Sequence, residues 1–340
     1  MSYTAAGALH MHTFFSDGTG SVQDLVRAAK ESGLHWIWIT DHDDLRAKPQ
    51  EGYHDGLLVL VGYEITPRRN HYLVGDTNEI ISRELPPAGY IDAVRAQGAL
   101  GIIAHPDERV VNEYTEGYEW EDWSLRGFDG IELWNYMSDW IQHYTPLMKY
   151  RNFFLPRFAL AGPTAKTLAW WDGLQVEGAR PSGVFGVDAH AHRVHRLGRE
   201  WTVYPYRHCF DRLTNYLQLD SPLSRDFDVA AAQVWAALRA GRNIMANRIH
   251  GEATHATFEA RNRAGDAVTC GQELPLGDGV TLNFTAPRPA ELRLIRNGET
   301  VATTPQQQAL RFDAHLTGHY RVEAWRGSQL WLMTNHVHVV

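Results

Sequence analysis

Cysteine is nearly absent from this chain, because only Cys209 and Cys270 occur among its 340 residues. So few cysteines argue against a framework of structural disulfides and favour a reducing compartment. No apolar run approaches the length that crosses a membrane, and the first residues lack the basic start and apolar segment of a secretory signal. We therefore expect a cytoplasmic protein without a membrane partner.

An excess of positive charge is also missing. Lys and Arg total 32 against 40 Asp and Glu, which gives a formal net charge of −8 and argues against a general nucleic-acid surface. Apolar residues make up 44% of the chain, which is ample for a large core in one or two domains. Histidine is the residue in unusual supply, with 18 copies, and its placement carries the functional information.

The first histidine motif lies near the N-terminus. His10 and His12 alternate with Leu9 and Met11, so a strand at this position would point both imidazoles to one face. Asp17 follows in a Ser-Asp-Gly turn, and His42 comes just after Trp36-Ile37-Trp38-Ile39, which is typical of a buried parallel strand. Imidazole and carboxylate are ligands that divalent metals favour, although an isolated His-x-His pair also occurs as ordinary packing.

The same residue types recur at later strand ends. Glu64 ends the predicted strand 57–63, and His71 opens the short strand 71–74. His105 follows Gly101-Ile102-Ile103-Ala104, while Asp188 and His190 follow Gly183-Val184-Phe185-Gly186-Val187. Chance would scatter these groups over helices, loops and strand starts, whereas here they fall at one end of the strands. The sequence therefore predicts a metal centre at that end.

These motifs resemble the PHP (polymerase and histidinol phosphatase) domain family of metal-dependent phosphoesterases. The matching pieces run from His10-Met11-His12 and Ser16-Asp17-Gly18 through Thr40-Asp41-His42-Asp43, Gly62-Tyr63-Glu64, His71, Ala104-His105-Pro106 and Asp188-Ala189-His190. The resemblance covers roughly residues 6–250 and is greatest to the branch with a C-terminal β-domain, which includes carbaryl-hydrolase-like proteins. It implies an α/β fold, a distorted (β/α)7 barrel related to the TIM barrel, with the site at the carboxyl ends of the strands.

The resemblance also implies a ligand set for two or three ions of Zn, Mn or Fe. One ion would take His10, His12, Glu64 and Asp188, a second would share Glu64 and take His71 and His105, and a third would take Asp17, His42 and His190. Glu64 can bridge because a carboxylate has two oxygens. Asp188, His190 and Asp17 are the candidate catalytic residues.

The order of predicted elements supports two domains. Helical patterns at 21–32, 88–97, 137–151, 164–174 and 228–240 alternate with strands, which favours a parallel sheet or barrel over residues 1–250. Residues 251–340 instead alternate apolar and polar residues in short runs, which predicts a β-sandwich. Asn297-Gly298 indicates a hairpin turn within it. His336-Val337-His338 repeats the His-x-His spacing, but it has no acidic residues nearby and is not expected to bind metal.

Substrate contacts are less determined by the sequence. A phosphorylated small molecule needs cationic partners, for which Arg68, Arg69 and Arg193 are the candidates beside the ligand motifs. Glu132 and Asn135 end another predicted strand, so they are candidates for contacting a ligand histidine or the substrate. We expect no stable nucleic-acid partner, and the oligomeric state stays open.

The chemistry therefore has one leading hypothesis and two rivals. The leading hypothesis is hydrolysis of a small phosphoester by a hydroxide that bridges the ions. The first rival keeps the site but hydrolyses a carboxylic ester, carbamate or amide. The second is a protein that binds metal without catalysis, which would predict missing ligands, although all nine positions are occupied.

Overall fold

The computed structural model describes residues 3–109, 117–143, 160–196 and 198–340. Helices and strands alternate up to residue 250, and the chain is built of strands thereafter. The helices are α1 (Val22–Glu31), α2 (Pro87–Ala96), α3 (Tyr136–Gln142), α4 (Ala165–Val176), α5 (Tyr206–Phe210) and α6 (Phe227–Arg239), with 3-10 turns at Lys48–Gln50 and Arg248–His250.

The strands up to residue 250 are β1 (Tyr3–Leu9), β2 (Trp36–His42), β3 (Gly52–His54), β4 (Leu57–Ile65), β5 (Tyr72–Gly75), β6 (Leu100–Ile103), β7 (Gly130–Asn135), β8 (Ser182–Gly186), β9 (Arg193–Arg196), β10 (Arg199–Thr202), β11 (Leu213–Leu219) and β12 (Asn243–Asn247). Those that follow are β13 (Thr257–Asn262), β14 (Ala267–Thr269), β15 (Glu273–Leu274), β16 (Val280–Arg296), β17 (Glu299–Ala314), β18 (Gly318–Arg326), β19 (Gln329–Thr334) and β20 (Val337–Val339).

Helix α1 shows how closely local sequence signals set the boundaries. Ser21 caps its N-terminus by accepting a hydrogen bond from the Asp24 N–H, while the Asp24 carboxylate accepts one from the Ser21 N–H at 2.9 Å. This capping box satisfies two N–H groups that the first turn leaves free. The chain leaves the helix through Gly33 at φ +68°, a conformation that favours glycine. The predicted helix is confirmed. The helix predicted at 137–151 begins one residue earlier, and its part beyond residue 143 lies outside the described residues.

The strands of the first 250 residues form a mixed sheet. Strands β1, β2 and β4 are parallel, as are β6, β7 and β8, but β5 runs antiparallel to both β4 and β6. The prediction of a parallel sheet is therefore wrong at β5. The connection from β4 to β5 is too short for the helical crossover that a parallel pair requires, so the chain turns back on itself. As a result His71, at the start of β5, lies at the same edge as the ends of the parallel strands.

The two ends of this series of strands meet. Beyond β8, Ala189 forms a parallel bridge with Met11, which follows β1. The His12 N–H donates to the carbonyl of Ala189 at 2.9 Å, and the Val187 N–H donates to the carbonyl of Leu9 at 3.1 Å. These bonds place the segments that carry the first and the last predicted ligands side by side.

Both faces of β2 are buried, as predicted from its uninterrupted apolar run. Trp36 and Trp38 lie on one face, where Trp38 meets Trp235 of α6 edge-on with ring centroids 5.1 Å apart. Ile37 and Ile39 on the other face belong to the large core that includes the apolar side of α1. Burial on both faces is typical of a strand covered by helices.

Strands β13 to β20 are mostly antiparallel. Two of the short alternating runs, 280–284 and 292–295, are parts of one strand, β16, whose pairing with β17 shifts register between Thr285 and Leu292. Asn297 and Gly298 form the predicted hairpin turn at φ +52° and +87°. Strand β12 pairs with β19, so the sheet continues across residue 250. A separate β-sandwich over residues 251–340 stays a prediction.

A buried set of charged residues joins α4 to these later strands, and we call it the Arg321 cluster (Asp172, Arg321, Glu323 and His336). The guanidinium of Arg321 donates two hydrogen bonds to the Asp172 carboxylate, both at 2.8 Å, and a third to Glu323 at 2.6 Å. His336 Nε2 lies 2.8 Å from Asp172 Oδ1. In the parts of the chain that the structure describes, no helix is both long and apolar enough to span a membrane.

Candidate metal centre

The nine predicted ligand side chains lie together at one edge of the mixed sheet, and we call them the Glu64 cluster. Seven are buried, and His42 and Asp17 lie closer to solvent, with Asp17 51% exposed at the rim. The cluster consists of His10, His12, Asp17, His42, Glu64, His71, His105, Asp188 and His190. Residues far apart in the sequence therefore share one site, as their strand-end positions predicted.

The carboxylate of Glu64 lies at the middle and faces two different sets of imidazoles. Its Oε1 lies 3.0 Å from His71 Nδ1 and 3.3 Å from His105 Nε2. Its Oε2 faces the other set, at 3.4 Å from His10 Nε2, 3.6 Å from His12 Nε2 and 3.0 Å from His42 Nδ1. This division suits a carboxylate that bridges two ions through separate oxygens.

The two aspartates extend the cluster on either side. Oδ1 of Asp188 lies 3.2 Å from His12 Nε2 and 3.4 Å from His10 Nε2. Oδ1 of Asp17 lies 3.1 Å from His190 Nε2 and 3.3 Å from His42 Nε2. Four groups have ligand atoms that all lie within 4.8 Å of one another: His12 with Asp17, His42 and His190; His10 with His105 and Asp188; His10 with His12 and Glu64; and Glu64 with His71 and His105.

Several buried nitrogens of this cluster have no hydrogen-bond partner. They are Nε2 of His10, both nitrogens of His12 and Nδ1 of His105. A buried polar atom without a partner costs free energy. These atoms therefore indicate that the site is suited to a bound ligand. Neutral imidazole nitrogens that converge with carboxylate oxygens are the donor set of Zn, Mn or Fe, so the residues fit divalent ions.

Acceptors fix one ring nitrogen in each of three other histidines. His71 Nε2 lies 2.9 Å from the carbonyl of Pro67, and His190 Nδ1 lies 2.9 Å from the carbonyl of Asp188. Because a carbonyl only accepts, each of these nitrogens carries the proton, and the lone pair of the other nitrogen points into the cluster. Thr66 donates its hydroxyl to the Glu64 carbonyl and therefore accepts from His42 Nδ1 at 2.8 Å.

The charges inside the cluster shift its pKa values strongly. Burial would lower the pKa of His42, but Asp17 and Glu64 outweigh it and raise that pKa to about 10. Burial likewise opposes the shift at His105, where Glu108 and Glu64 raise the pKa to about 9. Burial and the neighbouring imidazoles of His190 and His42 lower the pKa of His12 to about 3. Ion binding therefore has to displace protons from some imidazoles but finds His12 already neutral.

Three of the ligand candidates adopt a backbone conformation that L residues rarely enter. His10, His105 and Asp188 have φ values of +66°, +25° and +48°. Strand β1 ends at Leu9, so the predicted strand alternation does not extend to His10. The left-handed turn brings the side chain into the cluster instead. Strain of this kind persists only where the surrounding structure enforces it, and it is enriched at functional sites.

Parts of the chain are similar to known proteins. The model of the PHP domain family matches residues 8–119. The match covers the segment that carries His10, His12, Asp17, His42, Glu64, His71 and His105. An uncharacterised protein of Methanocaldococcus jannaschii is 28% identical over 156 residues, which is 42% of this chain and 88% of that protein.

Two solved structures are similar to larger parts of the chain. One is a two-domain protein from Bacteroides vulgatus containing a predicted PHP-like metal-dependent phosphoesterase, at 14% identity and a TM-score of 0.46 over 98% of this chain and 95% of that one. The other is PsfC from Pseudomonas syringae, at 12% identity and a TM-score of 0.41 over 68% of this chain and 88% of that one.

The loops that present the ligands are held by polar side chains around the cluster. Asp41 accepts hydrogen bonds from the N–H and hydroxyl of Thr13, at 2.7 and 2.8 Å, and from the hydroxyl of Ser16 at 2.7 Å. Tyr206 Oη donates to the carbonyl of His12 and accepts from the Gly20 N–H. These bonds fix the segment that presents His12 and Asp17.

One buried acid beside the cluster was not predicted from the sequence. Glu108 is 3% exposed, lies 3.5 Å from His105 Nδ1 and accepts a hydrogen bond from Ser138. The sequence feature that could have indicated Glu108 is its position three residues after His105, in the turn that follows β6. Glu132 and Asn135, which the sequence suggested as contacts of a ligand histidine or the substrate, lie against the cluster. The Glu132 carboxylate is 2.8 Å from His10 Nδ1.

In the described part of the chain, no contact joins the three candidate substrate arginines to the Glu64 cluster. Arg69 donates to Glu121 at 3.0 Å, and Arg193 lies 3.6 Å from Glu200 on the neighbouring strand of an exposed hairpin. Arg68 lines a surface pocket together with Arg69 and Tyr90. Their role in substrate binding stays a prediction.

Proposed function

We propose that this protein is a metal-dependent hydrolase that cleaves a small phosphoester. The observation that carries the proposal is the division of Glu64, whose two oxygens face separate sets of buried imidazoles. The unpartnered nitrogens of His10 and His12 support it, because a buried polar atom without a partner costs free energy that a bound ion would recover.

The nine residues of the Glu64 cluster would hold two or three divalent ions of Zn, Mn or Fe. When bound, such ions lower the pKa of a water molecule and stabilise the charge of a phosphoester in the transition state. Because the ions on its two sides would share Glu64, the ligand groups on those two sides would stay at a fixed distance from each other.

Residues of the chain would do the rest of the chemistry. Asp188, next to His12 and His190, would accept a proton during the reaction and pass it on. Asp17 is half exposed and would meet an incoming substrate first, with His190 held against it. Cys209 is not a nucleophile in this scheme, because it is buried and burial raises the pKa of its thiol.

We also propose that β1, β2 and β4–β8 close into a distorted seven-stranded barrel over residues 1–250, followed by a β-domain over 251–340. Support for closure comes from the bridge between Met11 and Ala189 and the hydrogen bonds on either side of it. Support for the boundary comes from the change to antiparallel strands after residue 250.

A second candidate reaction is hydrolysis of a carboxylic ester, carbamate or amide. The cavity next to His105 and Asn135 has a volume of about 270 Å³ and is lined by the acids Asp107, Glu108 and Asp139. Arg109 and Lys166 lie against Asp107, and His143 lies against Asp139, so these acids are already paired and the wall suits a neutral acyl compound. The phosphoester remains first, because bound ions would themselves supply the positive charge.

The test compares substrates on one sample. Purified protein is stripped with a chelator, reloaded with Mn²⁺ or Zn²⁺, and assayed with para-nitrophenyl phosphate, a phosphodiester panel and matched carboxylic esters and carbamates. We expect turnover of the phosphoesters that depends on the added ion. Turnover of the acyl compounds alone would establish the second reaction instead.

His12→Ala is the matched variant for this assay. It should bind less metal and lose turnover while its circular dichroism spectrum stays that of the wild type. Wild-type protein that binds metal but turns over neither class would point to a non-catalytic metal-binding role.

A further inference from the structure

Glu132, on β7, is a fully buried carboxylate that touches two ligand candidates at once. Its Oε1 lies 2.8 Å from Nδ1 of His10. Its Oε2 accepts hydrogen bonds from the backbone N–H of His105 at 2.7 Å and from Nδ2 of Asn135 at 3.0 Å. His10 and His105 face different oxygens of Glu64, so one carboxylate ties together the two sides of the Glu64 cluster.

The direction of every hydrogen bond around Glu132 is determined. Asn135 Oδ1 accepts from the Ser138 N–H at the start of α3, so its NH₂ group points to Glu132. A carboxylate only accepts, and therefore His10 carries its proton on Nδ1. The lone pair of His10 Nε2 is then left facing the cluster, in the tautomer that a metal ligand needs.

The neighbouring strand leaves room for this arrangement. A Cβ atom at Gly186 of β8 would lie 1.5 Å from Glu132 Oε1 and 3.2 Å from His10 Cβ. Only a glycine at this position lets the carboxylate reach the ring. The contact between Glu132 and His10 thus depends on three strands, since His10 directly follows β1.

We propose that Glu132 is a positioning residue that fixes the tautomer of His10 and the distance between the ligand groups on the two sides of Glu64. The inference rests on the proposed metal-dependent function. The proposal adds a further residue to the nine ligands. Glu132 would set the spacing between the ligands without touching an ion itself. A rigid spacing matters because ions shared by one carboxylate tolerate little displacement of their other ligands.

Glu132→Gln tests the proposal with almost no change in shape. Three donors converge on the carboxylate, whereas an amide offers one acceptor oxygen and one NH₂ group. An NH₂ near His10 would force the ring into the Nε2–H tautomer, and an NH₂ near His105 would face the backbone N–H. We expect the affinity for Zn²⁺ and Mn²⁺ to fall about 10- to 100-fold. We also expect a changed ¹⁵N NMR signature of the His10 ring in the Zn²⁺-loaded protein, where an ion would replace the proton on Nε2.

Glu323→Gln in the Arg321 cluster is the matched control, because it is also a buried glutamate turned into an amide. It should keep the metal stoichiometry and the His10 signature of the wild type. Wild-type affinity, stoichiometry and His10 tautomer in Glu132→Gln would overturn the proposal.

Glu132→Asp decides the question should Glu132→Gln fail to fold. It keeps the charge and both acceptors but withdraws the oxygens by one methylene, so metal affinity should still fall. Wild-type affinity in this variant would overturn the proposal. Absence of metal binding in the wild type itself would instead overturn the proposed function, and the two failures are thus distinguishable.

Discussion

The Glu64 cluster and the Arg321 cluster are both buried groups of histidines and acids, but they differ in how completely their polar atoms are hydrogen-bonded. In the Arg321 cluster the guanidinium lies against two acids with hydrogen-bond distances of 2.6 to 2.8 Å, and His336 lies 2.8 Å from Asp172. In the Glu64 cluster, imidazole nitrogens face the carboxylates of the cluster at 3.0 to 3.6 Å, and Nε2 of His10 and both nitrogens of His12 have no hydrogen-bond partner.

The difference separates a structural site from a functional one. A buried charge group whose members satisfy each other costs least when nothing is added or removed. A buried group with free lone pairs directed at a common centre is costly alone and gains from a cation. Buried charge by itself therefore indicates neither role, and the state of the remaining lone pairs decides between them.

The largest expected effect comes from Asp188→Asn in the Glu64 cluster. It removes one negative ligand while keeping the shape, and we expect turnover to fall on the order of a thousandfold, or ~4 kcal/mol in transition-state stabilisation. Steady-state kinetics with excess metal measures the loss. Equal loss of the folded state in circular dichroism would show that the residue is structural.

Asp172→Asn is the same substitution in the Arg321 cluster and should have the opposite profile. It leaves the buried guanidinium of Arg321 without its two-bond partner, so the free energy of unfolding should fall by ~3 kcal/mol. Urea denaturation measures the change, and metal content should stay that of the wild type. Glu177→Gln, which breaks the exposed pair with Arg126, is the control and should cost less than ~1 kcal/mol.

Removal of metal should destabilise the wild type through the Glu64 cluster alone. Ions that bind only the folded chain stabilise it by ~2.7 kcal/mol at a free concentration a hundredfold above their Kd. Calorimetry with and without a chelator should therefore show a lower melting temperature after chelation. The shift should vanish in His12→Ala and persist in Glu323→Gln, and the reverse pattern would contradict the assignment of the two clusters.

The Arg321 cluster should make stability fall in mild acid. Burial lowers the pKa of His336 to about 4, although Asp172 acts in the opposite direction. Between about pH 6.5 and 4 the unfolded chain binds a proton at this ring that the folded chain does not, so stability falls as the pH falls. The slope from one such group is at most ~1.4 kcal/mol per pH unit. Urea titrations of chelated protein at several pH values measure it, and His336→Asn should be flatter by that amount.

The smallest effects are expected at the candidate substrate arginines. Arg69 is already paired with Glu121, and Arg193 is exposed beside Glu200. Removal of an exposed, paired charge changes binding by less than ~1 kcal/mol, so KM for a phosphoester should rise no more than about fivefold in Arg68→Ala, Arg69→Ala or Arg193→Ala. A rise of two orders of magnitude in any of them would show that its guanidinium reaches the substrate.

Much of the site could be predicted because most of the ligands lie at or near a strand end that their neighbours mark. The apolar run before His42 and the one before His105 predicted where those side chains would be placed. Glu108 escaped because nothing in the chain near it distinguishes a buried acid from an exposed turn residue. The antiparallel course of β5 escaped for a similar reason, since His71 opens a strand whose direction depends on the short connection before it.

The amino-acid sequence by itself determined the ligand types, their order and the elements that carry them, because strand periodicity and helix caps are local properties. Only the tertiary structure decided which nitrogen of each imidazole faces the cluster and which atoms remain unpaired. It also decided that Glu132 joins His10 to His105 and that Asp172 is satisfied by Arg321. His10 contacts Glu132, and Asp172 contacts Arg321, in each case across more than a hundred positions of the chain. No local sequence pattern encodes such contacts.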